Sequence, residues 1–474
     1  MIGHEEIKNL ETQWKLREDV IEKDYVIGWV LWGIGQDEEL NHKWIFKGGT
    51  CLKKCYLETY RFSEDLDFTV LPGGPIKPED IFPVLSRVLA RVNEESGINF
   101  SVMPPKLKQK DFPFYTEGRI YYQGPRNTPN PASIKLDLSA SEKLARPPVF
   151  RPIAHKSYSD KFPETAQVMC YSLEEVFTEK IRAMGERGMP RDLYDIILLF
   201  RNGYFKAQHN LIKAILETKC QTKGVPVPTF ELIKSSPRLN ELKGEWANML
   251  AHQLPVLPPF EEYWDELPDL FEWLEGRYMP EELAAAPAGK GEELTWHPPA
   301  VAWNWGMSLP LESIRFAAVN HLCVELGYGR NVRIVEPYSL RKTKEGNLIL
   351  YAWKIEDNKI HTYRVDRIES IKVTTKTFKP RYQIEFSSSE DISAPPTSRK
   401  SKSNSFGDYG LMGRPRKSFS RARVISPFGM KYVFQCGMCM KKFTKSTNDS
   451  TLRAHKNSFG MQCSGSHGYL IGNK

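Results

Sequence analysis

The 474-residue chain is 41% hydrophobic and 26% charged, a composition that excludes a fibrous or wholly disordered protein. Its length exceeds one core and predicts about three domains. No window of ~20 uninterrupted apolar residues predicts a membrane span, the first residues lack a basic-then-apolar leader, and eight cysteines are too sparse for a disulfide scaffold. A cytoplasmic protein is expected. The net charge of +8 is unevenly held: residues 391–474 carry 15 Lys and Arg against three acids, a net +12, which leaves −4 for the rest. Such asymmetry points to a polyanion partner for the tail, nucleic acid first; a merely solvated, disordered tail is the alternative.

Residues 1–40 have helical spacing, with Val20, Tyr25, Val26, Trp29, Val30 and Ile34 between charges. Trp44–Lys47 is a short apolar strand ending at Gly48-Gly49-Thr50, where Thr50 is placed to cap a helix through Leu52 to Tyr56. Leu66–Val70 and Ile134–Leu138 alternate as strands, and Ile81–Ser96 is helical with Asp80 as its N-cap. Helices are also predicted over Leu173–Arg187 and Leu193–Phe200. Ala, Pro and Gly make 281–310 a linker. A compact unit follows at 311–386, with a helix from about Leu311 to Leu326 and strands at Val332–Val335, Leu348–Trp353 and His361–Val365. Residues 387–429 read as a basic disordered linker, and a cysteine-containing module closes the chain at 430–474.

The densest chemistry lies between Phe46 and Phe68. A strand leading into Gly48-Gly49-Thr50 and a helix offers bare backbone N–H groups that a phosphate can approach. Asp65 and Asp67 alternate on one strand, so both carboxylates face one side. Such a pair calls for a cation, and hard oxygen ligands suit Mg²⁺ bridging substrate phosphates. Asp137, on another alternating strand, is the natural third ligand and could complete a two-metal site. Lys180 and Arg187, seven apart on one helix, share a face; Lys180 is a candidate phosphate ligand. Arg61 and Ser63 lie close to the metal strand, as ligands or as packing for its loop. Asp192 and Asp195 are read as helix-start charges that cap or pair with Arg191, and Cys51 and Cys55 as buried apolar fillers.

The run Lys47-Gly-Gly-Thr50 to Phe68 resembles the polymerase-β-type nucleotidyltransferases, in particular the AbiEii/AbiGii-like type IV toxins. The likeness includes Glu22-Lys-Asp-Tyr25, Glu179-Lys180 and Arg191-Asp192-Leu-Tyr-Asp195, and so spans roughly residues 15–205. It implies an α/β fold: a mixed sheet with helices over 1–205 and a helical extension over 206–280. It also implies that Asp65, Asp67 and Asp137 are catalytic and hold Mg²⁺. Gly48, Gly49, Thr50, Arg61, Ser63 and Lys180 would bind the NTP. Residues 311–386 resemble a WYL domain, a small β-barrel, through Val335-Glu-Pro-Tyr-Ser-Leu-Arg341, Leu350-Tyr-Ala-Trp-Lys354 and Tyr363-Arg-Val-Asp-Arg-Ile368. That likeness implies a nucleic-acid or nucleotide ligand held by Tyr338, Arg341, Arg364 and Arg367; an ordinary small barrel with surface arginines is the alternative.

Cys436-x₂-Cys439-x₁₅-His455-x₇-Cys463 provides four ligands for a tetrahedral, structural zinc, which a module this small needs as a staple. His467 is a substitute for His455, and a redox pair or free thiols are the alternative. Gly413-Arg-Pro-Arg-Lys417 resembles an AT-hook core, with Arg414 and Arg416 for the DNA minor groove; a plain basic linker fits as well. The expected function is Mg²⁺-dependent transfer of an NMP from an NTP to an acceptor, by resemblance the 3′ end of tRNA. A cognate antitoxin and a phage-defence setting are implied alongside. The alternative is a nucleic-acid-binding regulator or defence sensor that binds nucleotide without turnover.

Overall fold

A computed structural model describes residues 1–57, 61–111, 114–155, 157–205, 207–287, 294–295, 311–342 and 347–387. Near the C-terminus it describes 432–436, 442–445, 451–453, 455 and 468–473. The chain divides into two units, Met1–Pro396 and Thr397–Lys474.

The first unit opens with α1 (His4–Trp14) and α2 (Glu18–Gln36). α2 is buried on nearly every side from Val20 to Ile34, apolar for the most part but with Glu22 and Asp24 also inside. Then come β1 (Trp44–Lys47), α3 (Gly48–Cys51) with a π-helical turn at Leu52–Tyr56, and β2 (Asp65–Val70). Thr50 lies inside α3 rather than capping it, and its hydroxyl donates to the Asp65 carbonyl (2.5 Å), tying the glycine turn to the start of β2. α4 (Pro78–Ser96) begins at a proline preset for the first turn, so Asp80 sits within that turn, not at the cap.

β3 (Lys106–Asp111), β4 (Tyr115–Tyr122), β5 (Ala132–Ser139), β6 (Val149–Pro152) and β7 (Gln167–Cys170) complete a mixed seven-stranded sheet. Its order is β3-β4-β5-β2-β1-β7-β6. One face carries Leu66, Phe68, Ile120, Ile134, Leu136 and Leu138, all buried in the core that α2 and α4 join. The other face is polar. α5 (Leu173–Glu186), α6 (Pro190–Arg201) and α7 (His209–Lys223) pack together beyond it. The helical extension continues with α8 (Phe230–Lys234), α9 (Leu239–Gly244), α10 (Trp246–Leu250), α11 (Phe260–Trp264) and α12 (Leu267–Leu274).

After the short β8 (Leu294–Thr295), α13 (Leu311–Val319) packs across β9 (Leu322–Tyr328), β10 (Asn331–Lys342) and β13 (Ile368–Thr377). β11 (Leu348–Lys354) and β12 (Lys359–Arg364) complete this antiparallel sheet. The predicted helix to Leu326 stops at Val319 because Asn320 and His321, the latter at φ 55°, turn the chain into β9. Tyr194 and Tyr263 of the helical region both donate to buried Asn320 Oδ1 (2.9 and 2.6 Å), a polar seam between the helices and this sheet module. In the second unit β14 (Tyr432–Cys436) lies between β15 (Lys442–Lys445) and β16 (Gly468–Asn473). No helix of the described residues is long and apolar enough to cross a membrane.

Candidate active site

Strand register brings the predicted carboxylates together. β2 and β5 run parallel with Asp67 beside Asp137 and Asp65 beside Lys135, while antiparallel β1 sets Lys47 beside Asp67. All point to the polar face of the sheet and line a cleft of about 420 Å³. Gly48 and Gly49 form its floor. Gly48 has φ +80°, and a Cβ there would lie 2.4 Å from Asp67 Oδ2; one on Gly49 would lie 2.5 Å from Arg61 Nη2. Only glycine fits either position. Ser63 and Lys180 also line the cleft, whereas Thr50 lies beneath it as a strut.

The carboxylates crowd each other. Burial pushes the Asp67 carboxyl up to about 6, with Lys47 opposing and Asp137 and Asp65 reinforcing the rise. Asp65 is raised by burial too, although Lys135 and Arg191 pull against it. Asp137 accepts from Tyr115 Oη (2.9 Å) and from Lys135 Nζ (2.6 Å). Three acidic oxygen-donor groups together in the cleft, with no thiol or imidazole among the lining residues, are a donor set suited to Mg²⁺.

The rest of the lining mixes Lys47, Arg61, Lys180, Arg182, Arg187 and Arg191 with Glu142, Glu179 and Glu186. Lys180 Nζ meets Asp195 (2.7 Å) and Asp192 (3.4 Å), and Arg187 forks onto Asp192 (2.8 and 2.9 Å). Arg61 is bidentate on Asp195 (2.7 and 2.8 Å) and also donates to Gln253 (2.8 Å). Burial alone would raise the Asp195 carboxyl, but Arg61 and Lys180 outweigh it and hold it well below the usual carboxylate range. Asp192 and Asp195 are therefore fully buried hubs for Arg61, Lys180 and Arg187, not caps or partners for Arg191. Arg61 faces the cleft from inside this clamp. Lys47 is held by Glu142, which also accepts from Tyr171 Oη (2.9 Å). Burial would raise Glu142, yet Lys47, Lys223 and Lys219 hold it far down. Sequence reasoning missed Lys47, Lys135, Glu142 and Arg191; the one available signal was the position of Lys47 directly before the glycine pair.

Elsewhere the structure corrects two assignments. Tyr338 is buried, donating to Glu336 (2.7 Å) and accepting from the Arg381 N–H (3.2 Å). Arg341 is buried too, donating to the Ala286 carbonyl (2.6 Å), pairing with Glu385 (3.2 Å) and lying over the Tyr351 ring. Neither can reach a nucleic acid from inside the module. Arg364 is half-buried against Asp366 (2.7 Å), and Arg367 is exposed. Cys51 and Cys55 are buried as expected, with Cys170 beside them; the three thiols lie within 4.8 Å of one another. Cys436 and His455 are buried in the second unit, while Cys439, Cys463, Arg414 and Arg416 lie outside the described residues.

Two family models match the chain. A family model described as the nucleotidyl transferase AbiEii toxin of a type IV toxin–antitoxin system matches residues 29–269, and one for the WYL domain matches 311–373. No curated protein matches significantly. Among solved structures the chain is similar to MenT4, a nucleotidyltransferase toxin of Mycobacterium tuberculosis H37Rv. That match is 17% identical over 54% of this chain and 84% of that one, with a TM-score of 0.39. It is also similar to proteasome accessory factor B/C of Arthrobacter aurescens, 15% identical over 32% of this chain and 19% of that one, with a TM-score of 0.15.

Proposed function

Because the chain belongs to the AbiEii nucleotidyltransferase toxin family and is a nucleotidyltransferase, we propose that it moves an NMP from an NTP to a polynucleotide acceptor, with RNA the first candidate. The observation that carries this reading is the register of Asp65, Asp67 and Asp137 in a cleft that Lys47, Lys180 and Arg187 also line. These three carboxylates would hold Mg²⁺, which when bound supplies positive charge to the reacting phosphates. Lys47, Lys180 and Arg187 bind and orient the triphosphate, their side chains already aimed by Glu142, Asp192 and Asp195. Gly48 and Gly49 let it approach the backbone. The acceptor hydroxyl forms a bond to the α-phosphorus, the bond to pyrophosphate breaks, and the hydroxyl proton passes to the carboxylate cluster.

The family sets this activity in a toxin–antitoxin pair, so a cognate antitoxin that blocks the cleft is the proposed protein partner, and phage defence the proposed setting. Incubation with each labelled NTP and total bacterial RNA tests the reading. The wild type should label RNA with release of pyrophosphate, and Asp65→Asn or Asp67→Asn should lower labelling by about 100-fold or more. Undiminished labelling in either variant would remove the carboxylates from the mechanism. Nucleotide binding without any transfer would favour the sensor instead.

A further inference from the structure

The cleft described above has a wall for the triphosphate but no assigned seat for the acceptor. Strand register offers one. Asp65 of β2 stands beside Lys135 of β5, Lys135 beside Arg119 of β4, and Arg119 beside Lys106 of β3. These four residues form a straight row across the sheet that starts at a proposed metal ligand and continues through three cations. All share the polar face, since the intervening Ile120, Ile134 and Leu136 point into the core. At the spacing of neighbouring strands the row is ~14 Å long, room for about two successive phosphates.

The charges differ in kind from those inside the cleft. Lys47, Arg61, Lys180 and Arg187 each pair with a carboxylate. Arg119 and Lys106 are exposed, and among the described residues neither has a carboxylate within ion-pair distance. Arg119 reaches only the Ser133 hydroxyl (3.5 Å), and Lys106 lies over the Tyr121 ring (5.5 Å). The adjacent row on the same face runs Asp67, Asp137, Glu117, Lys108 and is acidic beside the cleft. A polyanion entering from the sheet edge is therefore attracted along one row and repelled by the next. Lys135 stands where the basic row meets the carboxylates and bonds Asp137.

Resting on the transferase reading, we propose that Lys135, Arg119 and Lys106 form the track that seats the backbone of the acceptor's single-stranded 3′ end. The terminal hydroxyl then points at Asp65 and Asp67. Phosphate contacts of this kind fix register without reading sequence, so specificity for a particular acceptor lies elsewhere.

Two measurements on the full-length protein test this. In the first, amine-reactive labelling read by mass spectrometry follows Lys106 with single-stranded RNA and DNA oligonucleotides of the same sequence, and with NTP alone. The oligonucleotide should protect Lys106 and NTP should not; protection by RNA alone or by both polymers identifies the acceptor chemistry. In the second, the Lys106→Ala/Arg119→Ala double variant should raise the acceptor KM about tenfold while leaving the NTP KM unchanged. Its log–log salt slope should fall by about 0.7 per cation removed. Lys106 unprotected, with acceptor KM and slope unchanged, overturns the track even if the wild type labels RNA normally. Protection of Lys106 without any transfer by the wild type leaves the track standing and overturns the transferase reading.

Discussion

Burial of the Asp67 carboxyl, with Asp65 and Asp137 beside it, pushes it up to about 6 although Lys47 pulls the other way. An exposed aspartate in the unfolded chain titrates near ~3.9. Between those values the folded, metal-free protein holds a proton that the unfolded chain has lost, so stability falls as pH rises through this window. At neutral pH the ionised Asp67 therefore works against folding until a cation arrives. Asp67→Asn should accordingly raise the stability of the metal-free protein by about 1–3 kcal/mol at pH 7.5 while abolishing transfer. The gain should shrink towards pH 4. Millimolar Mg²⁺ should raise the melting temperature of the wild type and leave that of the variant nearly fixed. Calorimetry checks both, and a variant no more stable than wild type at pH 7.5 would mean that burial does not hold the Asp67 carboxyl up. Arg61 is the opposite case: it pairs in the interior with Asp195, which Lys180 shares, and removing one partner strands the others.

The glycine turn shows what an element contributes beyond its side chains. Gly48 and Gly73 both have φ +80°, so alanine costs similar backbone strain at either, about 1 kcal/mol or more. Their surroundings differ. A Cβ at Gly48 meets Asp67 Oδ2 at 2.4 Å, whereas one at Gly73 meets only the end of Lys43 at 3.6 Å. Gly48→Ala should therefore cut transfer at least tenfold, and Gly73→Ala should lower the melting temperature while sparing transfer. Equal activity in both would remove close backbone approach from the mechanism. β2 and β5 were legible because apolar and polar residues alternate, and β1 because a short apolar run ends at a glycine pair. β3 has one apolar residue in Lys106–Asp111, and β6 and β7 are four residues each, too short for a periodic signal. The pairing of Arg61 with Asp195 spans 134 positions and exists only once the fold has formed. Tyr338 was assigned through the WYL likeness alone, and the local pattern offered no check on it. The pairing of β10 with β11 shifts register between Pro337 and Ser339, so alternation no longer tells inward from outward there.

Across the whole molecule, charge divides nearly as the chain does. The unit Met1–Pro396 contains the cleft and the sheet module fastened at Asn320, while residues 391–474 hold a net +12 against −4 for the rest. Nonspecific attraction to polyanions should therefore belong to the tail and chemistry to the first unit. Counterion release predicts a log–log salt slope of about −0.9 per phosphate neutralised on duplex DNA. If half of the tail's 15 basic groups make contact, the full-length slope should be about −5 or steeper. Deleting 391–474 should flatten it and weaken duplex binding by at least tenfold at low salt. NTP binding should persist, because Gly48, Gly49 and the carboxylates lie elsewhere. The deletion should also remove about one zinc per chain, the metal proposed for Cys436, Cys439, His455 and Cys463. Metal analysis of reduced protein purified without chelators measures that loss independently of binding. A truncated chain with unchanged affinity and slope would move the polyanion site into the first unit, and zinc retained after truncation would reassign the metal to another set of ligands.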